Sequence, residues 1–144
     1  MKRIMCLLLI LTMVVASSAL GFGQVITENG EVSPCYVATT KVKQGIDPGL
    51  GMQLKLYAGL EPKSSSGVDE VKITMKVMNY VTGGVVHNKT YNAEYNYLTD
   101  YYEAKDTCTV PTPGSYYMHV TYKAYKNSVL LETITQNSVV ISVE

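Results

Sequence analysis

Between Val71 and Val77 every second residue is apolar: Val71, Ile73, Met75 and Val77 alternate with Lys72, Thr74 and Lys76. Period-two alternation puts successive side chains on opposite faces of an extended strand. One face of this segment is therefore buried, and the other carries its lysines into water. The same period returns at Met52, Leu54, Leu56 and Ala58, and again at Tyr116, Met118, Val120, Tyr122 and Ala124. No window beyond residue 34 has the 3.6 spacing of an amphipathic helix. A chain patterned in this way has to bury the apolar faces of its sheets against one another.

Turn chemistry divides the chain into short strands. Cys35–Lys43 reads as a strand ended by the turn-rich run Gln44-Gly45-Ile46-Asp47-Pro48-Gly49. Pro62 and Ser64-Ser65-Ser66-Gly67 close the strand that follows Met52, and Gly83-Gly84 leads into Val85–Tyr91. A Tyr/Asn-rich stretch occupies Asn92–Tyr102, followed by a strand over Glu103–Val110 and the loop Pro111-Thr112-Pro113-Gly114. Lys126-Asn127-Ser128 predicts a hairpin into Val129–Val143, with a bend or bulge near Asn137-Ser138. Seven or eight strands at this spacing predict an all-β, antiparallel sandwich rather than a barrel.

The N-terminus follows a different rule. Lys2 and Arg3 precede an apolar run from Ile4 to Val15 and then the small residues Ala16, Ser17, Ser18 and Ala19. That is the pattern of a secretory signal, and the run is short for a membrane span of about 20 residues. Cuts after Ser18, Ala19 or Gly23 all fit, and Gly21 and Gly23 favour the last; the alternative is an N-terminal anchor that is never removed. Cys6 has no lipobox before it. The expected layout is a signal peptide over 1–23, a flexible polar arm over 24–34 and one domain over 35–144. The expected location is secreted, with no stable membrane anchor in the mature form.

Composition then narrows the function. Loss of Lys2 and Arg3, the latter the sole arginine, leaves ten lysines against twelve acids. Without a guanidinium, and with a slight negative charge, the mature domain is poorly suited to nucleic acid. Trp is absent and Phe22 is the one phenylalanine, so the aromatic mass of the domain is its twelve tyrosines. Two cysteines remain, Cys35 and Cys108, and an even count in an exported chain predicts a disulfide between them.

The run Pro111–Val120 resembles the entry to strand F of immunoglobulin-like and fibronectin-like domains, where a Gly-x-Tyr sets a tyrosine at the corner between strands. Gly114 and Tyr116 match it. Met118 stands where antibody domains have their second cysteine, and there is no tryptophan for strand C, so the inter-sheet disulfide of those domains is not reproduced. The mature chain as a whole looks like small secreted single-domain proteins of Gram-positive bacteria, which are similar to immunoglobulin-like sandwiches. The shared features are the lysine-led signal, the alternating strand after Gly49, the Lys/Thr strand at 71–77, the Gly-Ser-Tyr-Tyr strand and the final hairpin. That resemblance implies an immunoglobulin-like sandwich and carries no activity or functional residue.

Catalytic constellations are weak. His87 and His119 are expected at the surface, no G-x-S-x-G context supports a nucleophile, and the chain is read as a non-enzyme without a cofactor. Two histidines and two cysteines without ligand spacing make no zinc site, and the carboxylates of Asp100, Glu103 and Asp106 lack the density of a calcium loop. Asn88-Lys89-Thr90 is a glycosylation sequon that matters only in a eukaryotic source. The stretch above background is Tyr91–Tyr102, with Tyr91, Tyr95, Tyr97, Tyr101 and Tyr102 among Asn92, Asn96 and Asp100. Tyrosine with asparagine suits adaptable recognition surfaces, and it also simply suits a half-packed strand. Tyr95 and Tyr97 are expected on one strand face. The function expected is an extracellular binding module for a protein or carbohydrate partner; the alternative is a structural protein that self-assembles by sheet-edge pairing.

Overall fold

The computed structural model describes residues 24–26, 32–34 and 37–144. The expected signal peptide (residues 1–23) and Cys35 lie outside them. The chain divides into two units, residues 1–35 and 36–144. Within the first, where an arm was expected, β1 (Gln24–Ile26) pairs antiparallel with β2 (Val32–Pro34).

In the second unit the period-two pattern becomes two facing sheets. The inward residues Val71, Ile73, Met75 and Val77 of β5 (Glu70–Asn79) are all fully buried. On β9 (Gly114–Lys126) Tyr116, Met118, Val120, Tyr122 and Ala124 are buried beside them, through an antiparallel register that sets Ile73 against Tyr122 and Val77 against Met118. β6 (Val85–Asn92) flanks β5, and β10 (Val129–Asn137) flanks β9, giving the order β10-β9-β5-β6. The short β11 (Ile141–Val143) continues the line of β10 along β9.

The opposing sheet has the order β3-β4-β8-β7, from β3 (Thr39–Pro48), β4 (Gln53–Pro62), β7 (Glu94–Asn96) and β8 (Tyr101–Thr109). Leu54, Leu56, Ala58 and Leu60 of β4, with Ala104 and Cys108 of β8, face the β5–β9 core. Each large apolar side chain so buried stabilises the sandwich by about 1.5–3 kcal/mol relative to its exposed state. The result is an all-β antiparallel sandwich. Among the described residues this unit has nine strands against the seven or eight expected. The excess arises because the last strand is interrupted and the Tyr/Asn stretch holds a short strand of its own.

Two core tyrosines fix the layers with their hydroxyls. The Tyr116 hydroxyl donates to the Thr112 carbonyl at 2.8 Å, closing the corner between β8 and β9. The Tyr122 hydroxyl donates at 2.8 Å to the Lys43 carbonyl in the opposite sheet. The interruption expected near Asn137-Ser138 is present. There the Ser138 amide donates to the Met118 carbonyl at 2.8 Å and the Ser138 Oγ accepts from the Met118 amide at 2.8 Å. A side chain thus replaces a rung of the ladder.

Several boundaries differ from the expected ones: β3 begins at Thr39 rather than Cys35, and β8 begins at Tyr101 rather than Glu103. β3 does not end at Lys43 but continues to Pro48 through Gln44-Gly45-Ile46-Asp47. Ile46 is buried opposite Leu56, and the Tyr57 ring of β4 occupies the space where a side chain at Gly45 would have to go. A glycine covered by a cross-strand aromatic is compatible with a strand, whatever its turn preference. No helix among the described residues is long and apolar enough to cross a membrane.

Candidate functional site

The Tyr/Asn stretch carries the chain from one sheet to the other. β6 ends at Asn92, the Ala93 amide donates to the Val71 carbonyl at 2.8 Å, and the chain then enters β7. β7 pairs for three residues only, Glu94 with Glu103, Tyr95 with Tyr102 and Asn96 with Tyr101. The turn that follows is built on Asn96. Its side-chain oxygen accepts from the Leu98 amide at 3.0 Å, and its carbonyl accepts from the Asp100 amide at 2.9 Å. Side-chain bonding of this kind is why asparagine favours turns. Tyr97 and Leu98 project from the turn, 86% and 95% exposed.

A cleft of about 600 Å³ opens beside this hairpin, with Tyr91, Glu94, Tyr95, Tyr97, Ala104 and Lys105 in its walls. The Tyr95 ring packs edge-to-face against Tyr97 and against Tyr102, each at 5.0 Å between centroids. Such pairs contribute roughly 0.5–1.5 kcal/mol beyond the area they bury. Tyr97 lies in the turn rather than on the face of Tyr95, because β7 stops at Asn96; the two rings meet all the same. The Tyr102 hydroxyl donates to the Val68 carbonyl at 3.2 Å, so that ring stands behind Tyr95 as support. Tyr101 falls on the other face of β8, with the Lys43 ammonium 4.0 Å from its ring centroid. Of the five expected residues, Tyr91, Tyr95 and Tyr97 line the cleft, Tyr102 backs it and Tyr101 does not join it.

Tyr91 stands on the inner face of β6 and joins the two sheets, its hydroxyl donating to the Asp106 carboxylate of β8. The His87 Nε2 lies 3.4 Å and the Lys89 Nζ 3.8 Å from the same carboxylate. His87 was expected at the surface, but its side chain is only 16% exposed. It pairs with Val77 and therefore points inward, at the rim of the core. His119 is on the outer face of β9, with Nδ1 2.7 Å from the Asn137 Oδ1.

Burial, followed by the bond to Asp106, pushes the Tyr91 hydroxyl far above its ordinary range. Burial and the bond to Asp100 raise Tyr95 as well. These hydroxyls are neutral hydrogen-bonding groups at physiological pH. Burial opposes the charge of Asp106, but Tyr91, the Thr107 amide, Lys89 and His87 outweigh it and hold that carboxyl below the usual range. Chiefly the Lys43 ammonium, 2.7 Å away, takes Glu103 down to about 2 against some burial, with further help from Asn96.

The meeting of His87, Lys89 and Tyr91 on Asp106 was missed in the sequence, as was the place of Glu94 in the cleft wall. Inward parity alone could have singled out Asp106, which shares a face with Ala104 and Cys108. Its meeting with β6 depends on how the two sheets stack. Among the described residues no three His, Cys, Asp or Glu side chains gather as metal ligands. Cys108 carries a buried free thiol in this structure, while its expected partner Cys35 lies outside the described residues. No protein-family model matches the chain, and no curated protein sequence matches it.

Proposed function

We propose that this protein is an exported, non-catalytic binding module of the immunoglobulin-like class, which meets a protein or carbohydrate partner at the cleft beside the β7–β8 hairpin. The observation that carries this reading is the coincidence of the Tyr/Asn-rich segment with the cleft: Tyr91, Tyr95 and Tyr97 line it. Tyrosine supplies large contact area at low entropy cost, and concave surfaces with a few polar groups are where ligands bind. The strand orders β3-β4-β8-β7 and β6-β5-β9-β10 parallel the ABED and C′CFG sheets of immunoglobulin domains. With the Tyr116 corner, they support that class. The basic, apolar and small-residue succession of residues 2–19 supports export.

The test is a comparison of the purified protein with a Tyr95→Ala/Tyr97→Ala double variant on peptide and glycan arrays. Ligands held by the parent and released by the variant, with the unfolding midpoint moved by only a few degrees, are the expected result. Identical retention by both proteins, or none by the parent, overturns the reading.

A second reading, a structural protein that self-assembles through sheet edges, is favoured by the part of β8 that β7 leaves uncovered. It requires oligomers whose mass grows with concentration in sedimentation experiments. A monomer at the highest attainable concentration eliminates it.

A further inference from the structure

The outer face of the β10-β9-β5-β6 sheet carries three rungs that the register sets side by side. In the middle one, Thr90, Thr74, Thr121 and Thr135 form a row across the four strands. On one side of it stand Asn92, Lys72, Lys123 and Thr133, and on the other Asn88, Lys76, His119 and Asn137. All of these residues are exposed or half-buried, and none is acidic or apolar.

Alternation along the strands explains why these positions face water, but not why their charges have one sign. In the opposing sheet cations meet acids: Lys41 pairs with Glu61 and Lys55 with Asp47, and Lys43 binds Glu103. Here Lys72 stands opposite Lys123, and Lys76 opposite His119. Like charges directly opposite one another destabilise a sheet. Glu70 meets Lys72 at 3.2 Å, whereas Lys76 and Lys123 form no ion pair among the described residues.

The two cationic rungs are four residues apart along β5, roughly 14 Å. One small anion cannot touch both; a polymer with charges at intervals can. Between and beside the lysines, threonine hydroxyls and asparagine amides offer donors and acceptors to sugar hydroxyls, with the Thr74 and Thr90 oxygens 2.8 Å apart. The block has no guanidinium to fork a phosphate and no aromatic ring to stack a base, which disfavours nucleic acid. It has no apolar side chain to enter a lipid layer. The lysines stand on β5 and β9, which are paired on both sides, so an acidic peptide laid over them finds no strand edge to join.

We propose that this face holds an anionic polysaccharide, with Lys72, Lys76 and Lys123 on its acid groups and the threonine row under its hydroxyls. The surface meets the cleft beside the β7–β8 hairpin only at Asn92, so it stands whether or not the cleft takes a partner.

The experiment measures binding of the purified protein to polygalacturonate and to dextran sulfate, with neutral dextran, polyglutamate and single-stranded DNA beside them. Binding to either acidic polysaccharide, falling as salt is raised, and none to dextran is the expected result. Lys76→Gln/Lys123→Gln should weaken that binding by about tenfold. Because it relieves like-charge pairs, this variant should unfold no earlier than the parent. Lys41→Gln/Lys55→Gln makes the same change of charge on the opposite sheet and should leave binding unchanged. Failure to bind either acidic polysaccharide, or equal losses in the two lysine variants, would overturn the proposal. Equal binding to polyglutamate or to DNA would overturn it too, in favour of an acidic protein or a nucleic acid. The Tyr95→Ala/Tyr97→Ala variant should bind the polysaccharide as the parent does; loss there would move the site to the cleft.

Discussion

Glu103 holds Lys43 at 2.7 Å, Asn96 and Thr99 at 3.2 Å each and Lys105 at 3.6 Å, and so ties β3, the β7–β8 turn and β8 into one patch. Its carboxyl falls from 4.5 to about 2 on folding, first because of Lys43. A group with a depressed folded pKa stabilises fully above its unfolded value and loses that contribution as pH falls through the folded one. Stability should therefore decline from about pH 4.5 toward pH 2, and Glu103→Gln should flatten this limb in urea titrations at successive pH values. A limb unchanged by the substitution would assign the acid sensitivity to other carboxylates. Tyr116 makes a separate case: its hydroxyl has the Thr112 carbonyl as acceptor inside a fully buried environment. Tyr116→Phe should cost about 1 kcal/mol in denaturant unfolding, with the fold retained. A cost near zero would mean that the ring alone holds the corner.

At the scale of elements, the β9–β10 hairpin shows how a turn sets a register. Asn127 and Ser128 have φ of 48° and 64°, the positive pair required by a two-residue type I′ turn. The Asp69 carboxylate accepts from the Asn127 amide at 2.7 Å and anchors the turn to the loop before β5. Serine has no freedom there comparable to glycine's. Ser128→Gly should raise stability by about 0.5–1 kcal/mol, read as a higher urea midpoint with an unchanged slope. A lower midpoint would show that the serine side chain contributes more than its backbone strain costs. The Lys126-Asn127-Ser128 turn was legible because turn chemistry is local. The end of β3 was not, because Gly45 and Pro48 read as breakers until Tyr57 and Leu54 of β4 are set beside them.

At the scale of the whole molecule, the expected disulfide between Cys35 and Cys108 is the covalent link to test. A Cys35–Cys108 bridge would close a loop of about seventy residues and stabilise the chain by about 4 kcal/mol in the entropic picture. Protein exported to an oxidising medium should yield a joined Cys35/Cys108 peptide in non-reducing mass mapping. Two separately alkylated cysteines after denaturation would dismiss the bridge and leave Cys108 as the free, buried thiol seen here.

Taken by itself, the sequence determined the all-β class and the buried faces of β4, β5 and β9, since period-two alternation is a property of neighbouring residues. Val71–Val77 and Tyr116–Ala124 could be assigned to the core without knowing what they face. The concentration of tyrosine at 91–102 was visible for the same reason. Tertiary structure alone decided which of those rings share a cleft, that His87 turns inward to Asp106, and that β7 stops short and leaves β8 open. These facts depend on registers and on the stacking of two sheets, which join residues distant in the chain. A pattern read along one strand carries no information about which strand lies opposite.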